Sequence, residues 1–202
     1  MSLHQAAPTL ILASGSPRRQ ELIRLLGLPV EVVPSNVDED TPEDWTPQRI
    51  VEELALRKAL SVKEQLAGQA SADSIVVGSD TIVVLDREVM GKPRDTEDAI
   101  RMLGRLSGRT HEVFTGVTCV RVSDGLTVTS HRVTHVRMRA LTEGQISRYV
   151  ATGEPKDKAG AYGIQEIGAL LVESIDGCYF NVVGLPVSLL SEILEKYGIT
   201  TP

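Results

Sequence analysis

The chain reads as an α/β protein with a mixed β-sheet, flanking helices and a central cleft. Three features predict this class. Short apolar runs that end in turn residues alternate with helix-capping sequences. Two long strand-like segments flank the single hairpin turn Ser123-Asp124-Gly125. No repeat or low-complexity linker interrupts the 202 residues, so one domain over 1–202 is expected, in two lobes around the cleft.

Residues 1–8 have no pattern and read as a loose tail. Thr9 to Ala13 is a buried strand. Ser16 then caps a helix that Pro17 opens and Gly27 ends. Val30 to Val33 is a second strand, followed by the acidic loop Asp38-Glu39-Asp40. Thr46-Pro47 starts a long helix to about Leu66, with Val51, Leu54, Ala55, Ala59 and Val62 on one stripe. Ser74 to Gly78 and Ile82 to Leu85 are strands interrupted by Ser79-Asp80-Thr81. Asp95-Thr96 caps a helix that stops at Gly108. The hairpin strands span Glu112–Val122 and Thr127–Arg139. Thr142 caps a helix ending at Gly153, Ile167 to Ser174 is a strand before the Asp176-Gly177 turn, and Pro186 opens a last helix to Gly198.

The chain is long enough to bury roughly 70% of the surface its unfolded form exposes. Its net charge of −6 argues against a general nucleic-acid binder, while leaving room for a local basic pocket. No apolar run reaches the ~18 residues of a membrane span. Cys119 and Cys178 lack metal-ligand spacing and read as two unpaired thiols, which fits a reducing, cytoplasmic setting.

Ser14-Gly15-Ser16-Pro17-Arg18-Arg19 is the most informative stretch. A helix N-terminus already carries partial positive charge, so two arginines in its first turn suggest an arriving anion. Backbone N–H groups, hydroxyls and guanidinium forks make a phosphate seat. The plain alternative is that the serines only cap and the arginines are solvated. The segment is no Walker A loop, since no Gly-Lys-Ser/Thr follows.

Asp80 lies in the apolar run Ile75-Val76-Val77-Gly78-Ser79-Asp80-Thr81-Ile82. A carboxylate there needs a metal ion, an ammonium or a polarised water, unless it caps a β-bulge or hairpin. Glu39 is either part of a solvated acidic loop or an oxygen ligand for a divalent cation beside Asp80. Lys58 falls on the apolar stripe of the long helix, snorkelling at its edge or serving a site. Lys92, in Gly91-Lys92-Pro93, is by itself an ordinary turn lysine. Together a carboxylate, two lysines and two arginines meet the needs of phosphoanhydride cleavage.

The chain resembles the Maf family of nucleotide pyrophosphatases, similar in fold to the inosine triphosphatase group. The likeness runs from Leu10 to about Tyr197. It rests on Ala13-Ser14-Gly15-Ser16-Pro17-Arg18-Arg19, Val37-Asp38-Glu39, Arg57-Lys58-Ala59, Gly78-Ser79-Asp80-Thr81, Gly91-Lys92-Pro93, Lys158-Ala159-Gly160-Ala161-Tyr162-Gly163-Ile164-Gln165 and Asn181-Val182-Val183-Gly184-Leu185-Pro186. The resemblance implies hydrolysis of a nucleoside triphosphate to the monophosphate and pyrophosphate. Asp80 would accept the proton of the attacking water. Ser14, Arg18, Arg19, Lys58 and Lys92 would hold the phosphates, and Glu39 and Asp80 would bind Mg²⁺, Mn²⁺ or Co²⁺. Arg18, Thr81 and Gln165 match positions tied to base choice, and the Ala161-to-Gln165 form looks like the branch acting on dTTP and UTP. One departure is Glu166-Ile167, where a glycine-leucine pair is more usual.

A carboxamide at Gln165 offers the donor and acceptor that uracil and thymine require. The thymine methyl is worth only ~1–3 kcal/mol, so activity on both bases is expected. The resemblance also implies a homodimer, while the acidic balance and the lack of a long apolar run lead to the expectation of no nucleic-acid or membrane partner. Two other readings keep the same residues: nucleotidyl transfer, and a nucleotide-sensing regulatory module linked to cell division. The usual Gly-x-Gly-Thr-Arg form of nucleotidyl transferases is not matched by Ser14-Gly15-Ser16-Pro17-Arg18.

Overall fold

A computed structural model of the chain describes residues 8–201. The expected tail lies outside the described residues except for Pro8. The fold is the mixed α/β one that the sequence predicts. Strands β1 (Leu10–Leu12), β2 (Val30–Val32), β3 (Ile75–Leu85), β4 (Glu88–Met90), β5 (Thr110–Arg121), β6 (Thr127–Met138) and β7 (Val172–Asp176) form one sheet. Its order is β2-β1-β3-β5-β6-β7, with β4 paired to β3. β1 runs parallel to both β2 and β3, with Leu10 opposite Val30 and Ile75. β4 on β3 and β7 on β6 are antiparallel.

The helices are α1 (Pro17–Arg24), α2 (Pro47–Gln65), α3 (Thr96–Leu106), α4 (Glu143–Ala151), α5 (Tyr179–Val183) and α6 (Val187–Glu195). Ser16, Thr46, Asp95 and Thr142 cap α1 to α4 as expected, and Thr142 with Gln145 completes a capping box. None of the described helices is long and apolar enough to cross a membrane.

Two expectations change. Ser79-Asp80-Thr81 does not interrupt anything: β3 is a single strand through them. Ile167 to Ser174 is not one strand, because Glu166–Leu171 winds as 3-10 turns before β7 begins. The turn before β4 also carried no signal, since Asp86 and Arg87 both take left-handed backbone where Asn-Gly is the usual marker.

The chain divides into two compact units, one of Met1–Asp80, Gly116–His131 and Val187–Pro202, the other of Thr81–Thr115 and Arg132–Pro186. In the first, Ile11, Ala13, Val76 and Val120 pack with Ala59 and Val62 of α2. Cys119 is buried and unpaired, as is the half-buried Cys178 of the second unit.

In the second unit α3 packs on α4, and Leu103 and Leu106 of α3 are fully buried. His111 is 2% exposed and meets the Tyr162 hydroxyl through Nε2 at 2.8 Å. Burial pushes the His111 pKa down from 6.5 to about 4. The unfolded chain therefore takes up a proton below pH 6.5 while the folded one stays neutral until about pH 4. Stability from this residue is complete above pH 6.5 and is lost as the pH falls towards 4, by up to about 3 kcal/mol. Urea midpoints between pH 7 and 4.5 should fall less steeply in His111→Gln than in the parent. Equal slopes would remove His111 from the acid response.

Candidate active site

The first unit gathers six of the residues singled out above. After β1 the chain turns through Ser14-Gly15-Ser16 into α1. The Ser14 hydroxyl accepts from the Ser16 amide at 3.2 Å and from Nη1 of Arg19 at 3.4 Å. The serine thus shapes the turn and also aims a guanidinium. The Ser16 oxygen accepts from the Arg19 amide, which closes the first helical turn.

Two glycines bring α2 onto the sheet. A Cβ on Gly78 of β3 would stand 2.1 Å from the Ala55 carbonyl oxygen, and one on Gly116 of β5 would stand 2.2 Å from that of Val51. Helix backbone lies directly against strand backbone at both points, which only a residue without a side chain permits. The approach delivers Lys58 of α2 to Asp80 of β3. Lys58 Nζ donates to Asp80 Oδ1 at 2.6 Å and reaches Glu39 Oε1 at 2.6 Å. Lys58 does not snorkel. It is 7% exposed and ends between two carboxylates, as the ammonium partner of Asp80, which is also 7% exposed.

The loop bearing Glu39 is tied to the same helix by Arg57, which the residue pattern alone did not single out. Its Nη1 donates to the Asp40 carbonyl at 2.9 Å, and its Nε donates to Glu53 at 3.1 Å. Arg57 also lies over the Trp45 ring at 5.7 Å, and Arg49 stacks closer, at 4.2 Å. Asp38 Oδ1 accepts from the Asp40 amide, so the acidic loop is partly built on itself.

These groups share one field. Burial lowers the pKa of Arg19 from the ordinary guanidinium value, Asp80 and Glu39 pull it up, and Arg18 pushes it down further. The three cations outnumber the two acids, so the cluster favours an arriving polyanion. Among the described residues no group of three or more His, Cys, Asp or Glu could hold a metal ion. The two carboxylates that converge on Lys58 do fit a hard divalent cation, which takes one or two protein carboxylates and fills its shell with water and phosphate oxygens.

Thr81, Lys92 and Gln165 belong to the second unit. Thr81 Oγ1 lies 3.0 Å from Thr115 Oγ1, and Thr115 in turn donates to the Asn181 carbonyl at 2.9 Å. Lys92 is exposed in the segment after β4. Gln165 is half-buried in extended backbone, and no hydrogen bond engages its side chain among the described residues. Glu166 follows with φ 54°, in the left-handed region. A side chain there costs about 1–2 kcal/mol.

A family model described as Maf-like protein matches residues 9–197. A protein of Acetivibrio thermocellus named a dTTP/UTP pyrophosphatase is 50% identical over 193 residues, covering 95% of this chain and 96% of the relative. Proteins with the same name from Symbiobacterium thermophilum and Moorella thermoacetica are 52% and 51% identical, each over 94% of this chain, and 94% and 95% of their own lengths. Among solved structures, the Ham1 protein of Staphylococcus aureus aligns at a TM-score of 0.53, covering 94% of this chain and 99% of its own, with 16% identity. That likeness carries the fold alone.

Proposed function

The chain belongs to the Maf family, and we propose on that footing that it hydrolyses dTTP and UTP to the nucleoside monophosphate and pyrophosphate. The observation that carries this reading is the meeting of Lys58, Asp80 and Glu39 beside Arg18 and Arg19. Arg18, Arg19 and Lys92 neutralise the polyphosphate, and Ser14 keeps Arg19 in position. Lys58 holds Asp80 through Oδ1, so Oδ2 is the acceptor that meets the attacking water. Water oxygen joins phosphorus, its proton passes to Asp80, and the α–β anhydride oxygen leaves with pyrophosphate. Glu39 and Asp80 would hold the divalent cation, Mg²⁺, Mn²⁺ or Co²⁺. When bound, it would neutralise phosphate charge and lower the barrier to anhydride cleavage.

Thr81 and Gln165, with Arg18, select the base. The Gln165 amide matches one carbonyl and one N–H of uracil or thymine. A cytoplasmic setting and a homodimer complete the reading.

A panel of nucleoside triphosphates scored for pyrophosphate, with no acceptor present, tests it. The expected result is release from dTTP and UTP that a chelator abolishes. Gln165→Leu should raise KM for these two by about tenfold or more, because the base's polar groups then go unpaired. An equal effect on every nucleotide would remove Gln165 from base reading. Binding without turnover would replace the hydrolase with a sensor.

A further inference from the structure

The segment that bears Gln165 is held by side chains rather than by regular structure. It leaves a 3-10 turn at Ala159–Ala161 and enters another at Glu166–Leu171. Between them its backbone is gripped at both ends. At the near end, the Gly163 amide donates to the Tyr149 hydroxyl at 3.2 Å. At the far end, the Ile167 amide donates to Glu154 Oε2 at 3.2 Å and the Gly168 amide to Glu154 Oε1 at 3.1 Å. The two grips are joined, because the Tyr149 hydroxyl itself donates to Glu154 Oε1 at 3.0 Å. Burial pushes the Tyr149 phenol up, so it stays a donor.

The fit is close. A Cβ on Gly168 would stand 2.0 Å from the Gly163 carbonyl oxygen and 2.8 Å from the Tyr149 hydroxyl. The two ends of the loop are therefore in contact, with Gln165 at its tip. Tyr149 is 3% exposed on α4, and the Glu154 amide is fixed by the Thr152 hydroxyl at 3.2 Å. Glu154 is thus mounted on a rigid base. Its carboxylate meets three donors with two oxygens, which makes it a strong anchor for backbone N–H groups. The Glu166 backbone in the left-handed region lies inside this loop, so the clamp holds a conformation that a glutamate resists.

We propose that Glu154, acting with Tyr149, is a specificity-determining positioning residue: it clamps the 163–168 loop so that the Gln165 amide is presented to the pyrimidine base in one orientation. The inference rests on Gln165 reading the base. Glu154 touches no substrate and acts only through the loop. An amide in place of its carboxylate can accept from only one side, so Glu154→Gln releases at least one backbone N–H. Tyr149→Phe releases the Gly163 end and removes one donor to Glu154, while the Ile167 and Gly168 amides keep theirs. Glu166→Gly removes the local strain and lets the loop keep its shape with a weakened clamp.

The test measures kcat and KM for dTTP, UTP and a purine nucleoside triphosphate in Glu154→Gln, Tyr149→Phe, Gln165→Leu, the Glu154→Gln/Gln165→Leu double variant and the Glu154→Gln/Glu166→Gly double variant. Circular dichroism confirms folding. Glu154→Gln is expected to raise KM about tenfold with kcat within about twofold, the signature of lost binding orientation. Tyr149→Phe should do the same to a smaller degree, and it keeps the test open if Glu154→Gln fails to fold. Adding Gln165→Leu to Glu154→Gln should add little, since both act on one contact. Adding Glu166→Gly should recover most of the lost KM. A merely structural Glu154 would lower stability and leave the KM ratio between pyrimidine and purine triphosphates unchanged, and that result overturns the proposal. Full additivity with Gln165→Leu also overturns it. If Gln165→Leu itself spares the pyrimidine preference, the base reading fails, and the clamp's role in selectivity fails with it. If Gln165→Leu erodes the preference while Glu154→Gln and Tyr149→Phe do not, only the clamp fails.

Discussion

Asp80→Asn is expected to lower kcat by about 10²–10⁴-fold while the chain stays folded. The amide keeps the shape of the carboxylate and can still accept from Lys58, 2.6 Å away, and Lys58 retains Glu39. No charge is left alone in the interior, which is the usual source of a 3–5 kcal/mol loss, about the amount seen when a buried pair is broken. What disappears is the proton acceptor. Pyrophosphate release and a thermal melt on the same sample separate the two effects. Turnover within about threefold of the parent would take Asp80 out of the base role. A collapse in melting temperature would instead show that its charge is structural.

Gly78→Ala should damage both stability and activity, through one methyl group. The added carbon would overlap the Ala55 carbonyl at 2.1 Å and crowd the Ala59 amide at 2.9 Å. Backbone on either side must shift, because neither neighbour is a flexible side-chain end. Overpacking of this kind costs about 3 kcal/mol. In a chain of this size that is a fall of about 6–12 °C in Tm. Moving α2 also moves Lys58 relative to Asp80, and a displacement of about 1 Å is enough to reduce kcat/KM about 100-fold. Gly104→Ala is the control. Gly104 lies in α3 with nothing near its missing Cβ, so alanine there should stabilise by about 0.8 kcal/mol and leave activity alone. An intact Lys58–Asp80 pair and normal kcat/KM in Gly78→Ala would contradict the account of how helix and strand are joined.

The parts legible in the sequence were those governed by neighbours along the chain. Ser16 with Pro17, Thr46 with Pro47, and Thr142 with Gln145 announce helix starts through local hydrogen bonds, and all three starts occur where expected. The hairpin at Ser123-Asp124-Gly125 is equally local. Lys58 was readable as an oddity on an apolar stripe, but its partner was not, since Asp80 is remote in the chain and reached only through packing at Gly78. The start of the Ile167 to Ser174 strand was misread because the Ile167 and Gly168 amides bond to Glu154, whose position no periodicity encodes. Asp80 inside an unbroken strand was misread because polar residues usually mark turns, whereas here a buried ammonium compensates for burial of the carboxylate. Arg57 carries no signal beyond its place next to Lys58.

Trp45 is the chain's single tryptophan, and two guanidinium groups face its ring. One of them, from Arg57, also grips the carbonyl of Asp40, the residue after Glu39. Its indole emission therefore comes from a single place, mechanically linked to the acidic loop. The unlabelled protein carries its own optical gauge of that loop, and light emitted at one residue can follow what happens one turn of chain away.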